Sequence, residues 1–253
     1  MTDFNESRWA DRDFAQSFRH EADSYIPFRS RVIEASVSLY KFFTPQKGLT
    51  TVLDLGCGDG FFIDALLNAD HRPTHVVLVD GSAEMLAAAR QRLASRTAKI
   101  DFVQASFQEL LVQDQFTDAF DFIFTSLAIH HLSPDEKAAL YGFIYDHLGP
   151  GGQFINFDVV LSTTTDLEKC YLSLWADWIK EHSGPEEIDK LLPIPEQYKN
   201  NPDNMPDTLM SQMAALEDIG FQDVDCYFKY GIFSMFGGRK IQAPNPAYSL
   251  KSN

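Results

Sequence analysis

The stretch VLDLGCGDGFF, residues 52–62, decides the fold of this chain. An apolar run ends in Asp54, and Gly56, Gly58 and Gly60 follow at alternate positions. Glycines spaced in this way between a strand and a helix are typical of a backbone that closely approaches a nucleotide. The stretch therefore predicts the first strand and first helix of a nucleotide-binding α/β fold. It leaves open which nucleotide is bound.

Two common nucleotide loops do not fit this stretch. The dinucleotide fingerprint requires a small residue at its last position, which Phe61 occupies here. A P-loop requires a lysine followed by serine or threonine, and neither follows this loop. The carboxylates of Asp54 and Asp59 flank the loop, and they would repel a pyrophosphate but attract a cation. The loop therefore favours a cofactor that carries positive charge.

Outward from the loop, apolar runs alternate with helical patterns. Strands are predicted at residues 51–56, 75–80, 100–105, 120–126 and 153–160, and helices at 60–69, 82–95 and 133–148. Ser82 and Ser133 are predicted N-caps, and Glu136 completes a capping box with Ser133. Residues 8–43 have a helical pattern that Pro27 interrupts. The alternation predicts a doubly wound, Rossmann-like and mostly parallel α/β sheet.

The pattern changes after the fifth predicted strand. An amphipathic helix in LEKCYLSLWADWIKEH precedes a proline-rich segment, and a further helix leads into two β runs in FQDVDCYFKYGIFSMFGGRK. Insertions at the carboxyl edge of such a sheet commonly cover the ligand crevice. We expect one domain in four parts: an N-terminal helical lid (1–47), a nucleotide-binding core (48–160), a helical cap insertion (161–206), and a C-terminal helix with a β-hairpin (207–253).

The composition restricts the partners that the chain can take. Its 253 residues are 45% hydrophobic and carry a formal net charge of −15, which disfavours binding to nucleic acid or to an anionic membrane. The N-terminus lacks the pattern of a signal peptide, and no apolar run has the length of a spanning helix. The three cysteines are widely spaced and form no metal-binding pattern. We expect a cytoplasmic monomer or homodimer without a bound metal.

The loop VLDLGCGDGFF resembles motif I of the class I S-adenosylmethionine (SAM)-dependent methyltransferases. Asp80 ends the second predicted strand, 26 residues after Asp54, and in that family this position holds the ribose hydroxyls. A carboxylate that accepts from two hydroxyls is also the physical expectation. LGPGGQFI resembles the family's turn before the fifth strand. The resemblance covers about residues 48–160 by motif and the C-terminal segment more loosely. It implies a seven-stranded sheet with an antiparallel C-terminal strand, SAM as cofactor and S-adenosylhomocysteine (SAH) as product.

The resemblance also implies a set of cofactor-binding residues. Ser106 stands where the family often has an acidic acceptor for the adenine amino group, and Phe107 either packs on the adenine or belongs to the core. Tyr25 and Arg29 lie in a segment that closes over SAM in many relatives; they either bind the methionine carboxylate or have structural and surface roles. The expected cofactor-binding residues are Asp54, Gly56, Cys57, Gly58, Gly60, Asp80, Gly81, Met85, Ser106, Phe107, Ser126, Tyr25 and Arg29.

Three candidate catalytic residues follow the fourth and fifth strands. His130 and His131 are adjacent in SLAIHHL, so they cannot easily face one site. We expect one to pack structurally and the other to serve as a general base, with both structural as the alternative. Asp158, at the end of the fifth strand, is the third candidate. A base is needed only if the acceptor must lose a proton, because SAM already carries an activated leaving group and alignment is the main task.

The cap restricts the methyl acceptor. Tyr171, Trp175 and Trp178 fall at i, i+4 and i+7, so they form either an aromatic wall for the acceptor or part of the core. No arginine occurs between Arg96 and Arg239, and residues 162–210 hold ten acidic residues and four lysines. This composition disfavours an anionic acceptor. It favours O- or N-methylation of a small acceptor that is neutral, amine-bearing or aromatic.

Two alternatives stay open. The tail and cap also resemble the branch that holds carboxy-SAM synthases and tRNA wobble-uridine methyltransferase-like proteins. A carboxy-SAM synthase should have an arginine in the cap for its extra carboxylate, and a tRNA-modifying enzyme should have a basic face. The acidic cap offers neither. The other alternative is a non-catalytic SAM-binding module, against which the intact loop, Asp80 and the two histidines argue.

Overall fold

The computed structural model describes Trp9 and residues 11–44, 48–113, 116 and 119–241. This part of the chain holds seven strands: β1 (Thr50–Leu55), β2 (Pro73–Asp80), β3 (Lys99–Gln104), β4 (Phe120–Ser126), β5 (Leu148–Val159), β6 (Gln222–Tyr230) and β7 (Phe233–Arg239). It also holds the helices α1 (Arg12–Tyr25), α2 (Arg29–Phe43), α3 (Phe61–Ala69), α4 (Ala83–Leu93), α5 (Phe107–Gln113), α6 (Pro134–His147), α7 (Thr165–His182), α8 (Ile188–Leu191), α9 (Ile194–Asn200) and α10 (Leu209–Ile219), with a 3₁₀ turn at Ile129–His131.

The strands form one sheet in the order β3-β2-β1-β4-β5-β7-β6. The first five are parallel, and β7 runs antiparallel between β5 and β6. The predicted seven-stranded, mostly parallel sheet is therefore confirmed. The strand order reverses between β1 and β4, and a crevice opens beyond the carboxyl ends of the strands at such a point. The loop after β1 and the turn after β4 meet at this crevice.

The core lies on both faces of the sheet because the strand residues alternate between them. On one face, Val52 and Phe122 join a cluster that includes residues of α2, α3 and α7. On the other face, Leu53 and Ile123 join a cluster with residues of α6 and α10. The central strands are apolar on both faces, as expected for parallel strands covered by helices on both sides.

The predicted helix starts are confirmed where capping residues mark them. The Ser82 side chain accepts from Met85 N at the start of α4, and Ser133 and Glu136 form the capping box of α6. Two elements of the core differ from the prediction, and the proline-rich segment holds the short helices α8 and α9, which were not predicted. The strand β5 begins at Leu148, so the GPGG turn belongs to the strand rather than only ending the helix before it. The short helix α5 follows β3, where no helix was expected because its pattern covers only seven residues.

Helices of the N-terminal segment and of the cap line the crevice. Helix α1 packs against α7, and α7 packs against α8 and α9. The expected four-part division of the chain remains a prediction, and residues 1–8, 10, 45–47, 114–115, 117–118 and 242–253 lie outside the described residues. Of the helices that the structure describes, none combines the length and hydropathy needed to cross a bilayer.

Candidate functional site

The loop after β1 has a backbone that only glycine adopts easily. Gly56 and Gly58 have φ values of 67° and 54°, in the left-handed region. A Cβ on Gly56 would lie 2.6 Å from the Ala128 side chain, so this glycine lets the loop pack against the turn after β4. A Cβ on Gly58 would meet nothing within 4 Å, so this glycine borders open space. The loop is therefore shaped both for packing and for close approach by a ligand.

Asp80 fixes this loop from the end of β2. Its Oδ2 accepts from Gly58 N at 2.8 Å, and its Oδ1 accepts from Ser82 N at 2.8 Å. Burial raises the pKa of Asp80 to about 6, although these two hydrogen bonds oppose that change. Each carboxylate oxygen has a second lone pair. The side chain can therefore hold the loop and still accept from two hydroxyls of a ligand.

Asp54 is a buried carboxylate with an acceptor left unused. Its side chain is 2% exposed, and its Oδ2 has no hydrogen-bond partner among the described residues. Burial, and secondarily the nearby charges of Asp80 and Asp59, raise the pKa of Asp54 well above its usual value. An unpartnered buried carboxylate is costly unless a cation or donor reaches it. The residues here therefore fit a cofactor that brings positive charge, as SAM does.

Asp59, the second carboxylate expected to attract a cation, is itself paired with arginines. Arg92 donates from its guanidinium to Asp59 Oδ2 and from Nε to the Asp59 carbonyl at 3.0 Å. Arg19 Nε lies 3.5 Å from the same carboxylate. Two arginines therefore compensate the charge of Asp59. These partners lie on α1 and α4, so the local sequence around the loop could not reveal them.

A cavity of about 530 Å³ lies over the loop, and we call it the cofactor cavity. The expected cofactor residues that line it are Asp54, Gly56, Cys57, Gly58, Asp80, Gly81, Met85, Ser106, Phe107, Ser126 and Arg29. Two expected residues do not line this cavity. Gly60 is the N-cap of α3, where a Cβ would lie 3.2 Å from the side chains of Ala89 and Leu93 in the core. Tyr25 lines a second cavity, described below.

Ser106 and Arg29 have partners that the sequence did not predict. Ser106 donates from Oγ and N to Glu109 Oε2, at 2.9 and 2.8 Å, and its Oγ accepts from Glu109 N at 3.2 Å, so it also caps the start of α5. The guanidinium of Arg29 lies 4.0 Å from the ring centroid of Phe61 and pairs with Asp23 at 2.8 Å. Phe61, the residue that excludes a dinucleotide loop, thus supports an arginine at the cavity wall.

The two histidines line different cavities. His131 lines the cofactor cavity, where its Nε2 accepts from Trp9 Nε1 at 3.0 Å and its Nδ1 donates to the Asp203 carbonyl at 3.2 Å. His130 is buried, and its Nδ1 lies 2.6 Å from Asp158 Oδ1. Asp158 Oδ2 also accepts from His130 N at 2.9 Å. A carboxylate at Nδ1 assigns the hydrogen to that nitrogen, and the ring's Nε2 is then the acceptor.

The second cavity, of about 350 Å³, has His130 in its wall, and we call it the acceptor cavity. It shares Trp9 and Leu127 with the cofactor cavity. Its other aromatic residues are Phe14, Tyr25, Trp175, Tyr198 and Phe233. Glu21 and Lys190 also line it, and they form an ion pair with each other. The volume suits a small molecule, and the walls are largely apolar.

The aromatic stripe of α7 does not form a single wall. Trp175 lines the acceptor cavity and donates from Nε1 to the Tyr25 carbonyl at 2.6 Å. Trp178 instead stacks on His182 at 3.6 Å and contacts Phe28, outside both cavities. Tyr171 lies under Lys229 Nζ, also outside both cavities. The three rings have different surroundings because different elements pack around α7. Trp175 faces the cavity, Trp178 faces the start of α2, and Tyr171 faces the hairpin of β6 and β7.

Several residues at the cavities carried no signal in the sequence. Trp9 and Leu127 form the shared wall, and the cap residues Asp203 and Met205 line the cofactor cavity. Trp9 and Asp203 each reach the site through a hydrogen bond to His131, a residue more than 70 positions away. The sequence predicted Glu136 as part of the capping box of α6, but that pattern does not indicate that Glu136 also lines the cofactor cavity.

The fold and this site define a class I SAM-dependent methyltransferase. Residues 52–152 match the family model described as a methyltransferase domain. The matched segment spans β1 to the start of β5 and so contains the glycine loop, Asp80 and both histidines. SAM is therefore the cofactor.

The sequence relatives with assigned functions are distant. A carboxy-S-adenosyl-L-methionine synthase of Nautilia profundicola is 20% identical over 228 residues, which cover 89% of this chain and 92% of the relative. A carboxy-S-adenosyl-L-methionine synthase of Helicobacter pylori is 26% identical over 202 residues, which cover 75% of each chain.

Solved structures with the same fold include methyltransferases that are longer than this chain. An O-methyltransferase family protein from Burkholderia thailandensis has a TM-score of 0.67 at 15% identity. The match covers 94% of this chain and 63% of the Burkholderia chain. An O-methyltransferase family 2 protein from Planctomyces limnophilus in complex with apigenin has a TM-score of 0.60 at 17% identity, covering 93% and 62%. This chain thus spans about three fifths of their length, and the likeness concerns the fold.

Proposed function

We propose that this protein transfers a methyl group from SAM to an oxygen or nitrogen atom of a small acceptor held in the acceptor cavity. The observation that carries the proposal is the pair of adjoining cavities. One is lined by the glycine loop, Asp54 and Asp80, and the other by a histidine that an aspartate orients. Two ligands that meet where these cavities adjoin gain the alignment on which methyl transfer depends.

The chain's own residues would hold SAM by complementary charge. Asp80 would accept from the ribose hydroxyls, and Asp54 Oδ2 would accept from the ammonium group. Arg19 and Arg29 both line the cofactor cavity and could bind the carboxylate. When bound, SAM supplies a methyl group on a sulfonium, which is already an activated leaving group. The protein's remaining tasks are to orient the acceptor, exclude water and remove a proton.

His130 is the residue we propose as the base. Asp158 holds Nδ1–H at 2.6 Å, so the orientation and the tautomer of the ring are fixed. Asp158 itself is 1% exposed and also accepts from Val159 N, so it has little freedom to move. An oriented imidazole in a cavity wall is suited to take a proton from a hydroxyl. The dyad therefore favours an acceptor that must lose a proton to react.

The lining of the acceptor cavity supports a flat acceptor without net negative charge. Its aromatic side chains present large apolar surfaces to a ring. Glu21 and Lys190, the acid and the lysine that line it, neutralise each other, and none of the described lining residues is an arginine. A phenol or an aromatic amine fits this surface better than a carboxylate or phosphate ester.

A turnover assay tests the proposal. The full chain is incubated with SAM and a panel of phenols, aromatic amines and aromatic carboxylates, and SAH and the methylated product are measured by mass spectrometry. We expect SAH formation with members of the first two groups, and loss of at least 90% of it in Asp158→Asn. Turnover confined to the carboxylates would contradict the proposed acceptor class. SAH binding without turnover of any acceptor would favour the non-catalytic alternative.

A second candidate function is synthesis of carboxy-SAM. The observation that favours it is the match to carboxy-S-adenosyl-L-methionine synthases over 75–89% of this chain. The absence of arginine from the cap argues against it, because such a synthase is expected to hold its added carboxylate with a cap arginine. The same mass spectrometry distinguishes the two functions when a carboxylated donor is added with SAM. Transfer of the donor's carboxyl group to the SAM methyl carbon, which gives up a proton, yields a heavier form of SAM and leaves no SAH.

A further inference from the structure

Lys137 is a buried cation that the proposed chemistry does not use. It lies in the first turns of α6 and is 3% exposed, although burial of an ammonium is costly unless acceptors compensate it. Its Nζ donates to the Met205 carbonyl. Desolvation lowers the pKa of Lys137, and the nearby carboxylates of Asp158 and Asp207 oppose that change. The ammonium thus lies between the base-orienting aspartate and the cap.

The Met205 carbonyl belongs to a segment that we call the strap, residues 201–207, which joins α9 to α10. Met205 N donates to the His130 carbonyl at 2.7 Å, and His131 Nδ1 donates to the Asp203 carbonyl at 3.2 Å. Leu161 N donates to the Asp207 carbonyl at 2.9 Å. Asp203 and Met205 line the cofactor cavity. The strap therefore contacts both histidines and forms part of a cavity wall.

We propose that Lys137 is a positioning residue, which holds the strap against His130 and His131 and so fixes the relative placement of the cofactor cavity and the base. The proposal deepens the proposed function and rests on it, because it concerns the same two cavities. Both backbone polar groups of Met205 are hydrogen-bonded: its N–H donates to the His130 carbonyl, and its carbonyl accepts from Lys137. Removal of the Lys137 contact leaves Met205 held only through its N–H, by the His130 carbonyl.

A charged anchor at this point has a reason beyond filling space. The groups that surround the dyad are Lys137 and Tyr141 of α6, Asp207 of the strap, His131, and Tyr198 of α9, whose ring centroid lies 6.0 Å from that of His130. Lys137 is the cation in this set that faces both Asp158 and Asp207. An apolar side chain would fill the same volume, but it would leave the buried Met205 carbonyl without its donor and the two carboxylates without a nearby cation.

Hydrogen exchange of the full chain tests the proposal directly. In Lys137→Met, which keeps the length and apolar stem of the side chain, we expect peptides covering residues 201–207 to exchange about tenfold faster, because a charge-assisted hydrogen bond is lost. Peptides from β1 and β4 should exchange as in the wild type. SAH affinity, measured by calorimetry, should fall about tenfold, because the strap forms part of the cofactor cavity.

Two further variants separate positioning from general stability. Lys137→Arg retains the charge and should restore most of the strap's protection and of the SAH affinity. Lys169→Met removes an exposed lysine of α7 and should change neither. If Lys137→Met does not fold, Lys137→Gln is used instead; its amide is shorter by one bond and uncharged, so the same loosening is expected.

Unchanged exchange of residues 201–207 in the uncharged variant would overturn the proposal, as would equal loss of protection in Lys137→Arg and Lys137→Met. A wild-type protein that binds SAH but methylates no acceptor would contradict the proposed function and not this inference, because exchange and SAH affinity are measured without an acceptor.

Discussion

At the scale of single residues, the cofactor cavity is an arrangement of desolvated carboxylates. Asp54 is buried and Asp80 half-buried beside the glycine loop, and desolvation raises the pKa of each. Asp80 has two backbone donors, whereas Asp54 Oδ2 has no partner among the described residues. Without a cation, the ionised forms of both groups oppose folding. With a cationic cofactor, the same charges contribute to binding. They lower the stability of the free protein, and binding of the cofactor stabilises the folded state.

The raised pKa of Asp80 predicts a pH dependence of stability. Its pKa in the folded state is about 6 and its ordinary pKa is 3.8, so the folded state binds the proton more tightly. This group therefore stabilises the fold below about pH 4, and its contribution is lost as the pH rises towards 6. In Asp80→Asn the dependence disappears. The difference between the free energies of unfolding, variant minus wild type, should therefore rise by on the order of 3 kcal/mol between pH 4 and 7.

Urea unfolding of the two ligand-free proteins at several pH values checks this prediction. Comparison with the variant removes the opposite contribution of carboxyls whose pKa is lowered, such as Asp70 and Asp101, because these are common to both proteins. A constant difference between the two stabilities from pH 4 to 7 would show that Asp80 does not carry the buried charge described here.

The glycines of the loop provide a second test at this scale. In Gly56→Ala the new Cβ would meet the Ala128 side chain at 2.6 Å, so we expect a loss of stability of about 2 kcal/mol or more from strain and overpacking. In Gly58→Ala the Cβ would enter open space and only the positive φ is strained, so a loss of about 1 kcal/mol is expected. Because that space belongs to the cofactor cavity, Gly58→Ala should nevertheless weaken SAH binding.

Thermal unfolding and calorimetric titration of the matched pair check this expectation. Equal destabilisation by the two substitutions would mean that the contact with the turn after β4 has little weight. Unaltered SAH affinity in Gly58→Ala would mean that the ligand does not approach the loop there.

At the scale of elements, α7 connects the acceptor cavity to the N-terminal helices. Trp175 donates to the Tyr25 carbonyl at the end of α1 and makes an edge contact with Phe233, 5.0 Å between centroids. Trp178, less than one turn further on, contacts Phe28 and His182 instead. The same helix thus supplies one residue to the cavity and another to the surface packing. Substitution of the two tryptophans should therefore have different effects.

We expect Trp175→Phe to raise the KM for the acceptor about tenfold or more, because it removes part of the cavity wall and the hydrogen bond to α1. Trp178→Phe, the matched control, should leave that KM within about twofold. Neither change should alter SAH affinity, because neither residue lines the cofactor cavity. Steady-state kinetics with the best acceptor of the panel gives both values. A larger effect on KM from Trp178→Phe would contradict the assignment of the acceptor cavity.

At the scale of the whole molecule, the local parts of the fold were predictable and the long-range contacts were not. The glycine loop, Asp80 and the caps of α4 and α6 depend on residues close in sequence, so their patterns indicate them. The sheet order followed from a resemblance to a family. Each element of the site that was missed joins residues distant in the chain. Examples are the pairing of Asp59 with Arg92, of Trp9 with His131, and of Lys137 with the strap.

The same distinction explains which roles remain predictions. Cofactor residues follow strand ends, whose positions the fold determines, and most of those expected line one cavity. The acceptor cavity combines α1, the turn after β4 and the cap, and no short motif encodes that combination. Helical periodicity predicts that Tyr171, Trp175 and Trp178 share one face of α7. It does not predict which elements pack against each ring. Substrate-binding roles are therefore the least predictable part of this molecule.

The central claim is that the dyad of His130 and Asp158 removes a proton from an acceptor held beside SAM. The measurement that tests it most directly is the rate of SAH formation from pH 5 to 9 by the wild type and by His130→Ala, with the best acceptor of the panel. We predict a rate at least 100-fold lower for the variant at neutral pH, since general bases contribute about 10²–10⁴-fold. The variant should recover towards high pH, where the acceptor ionises by itself. Equal rates for both proteins across the whole range would contradict the claim.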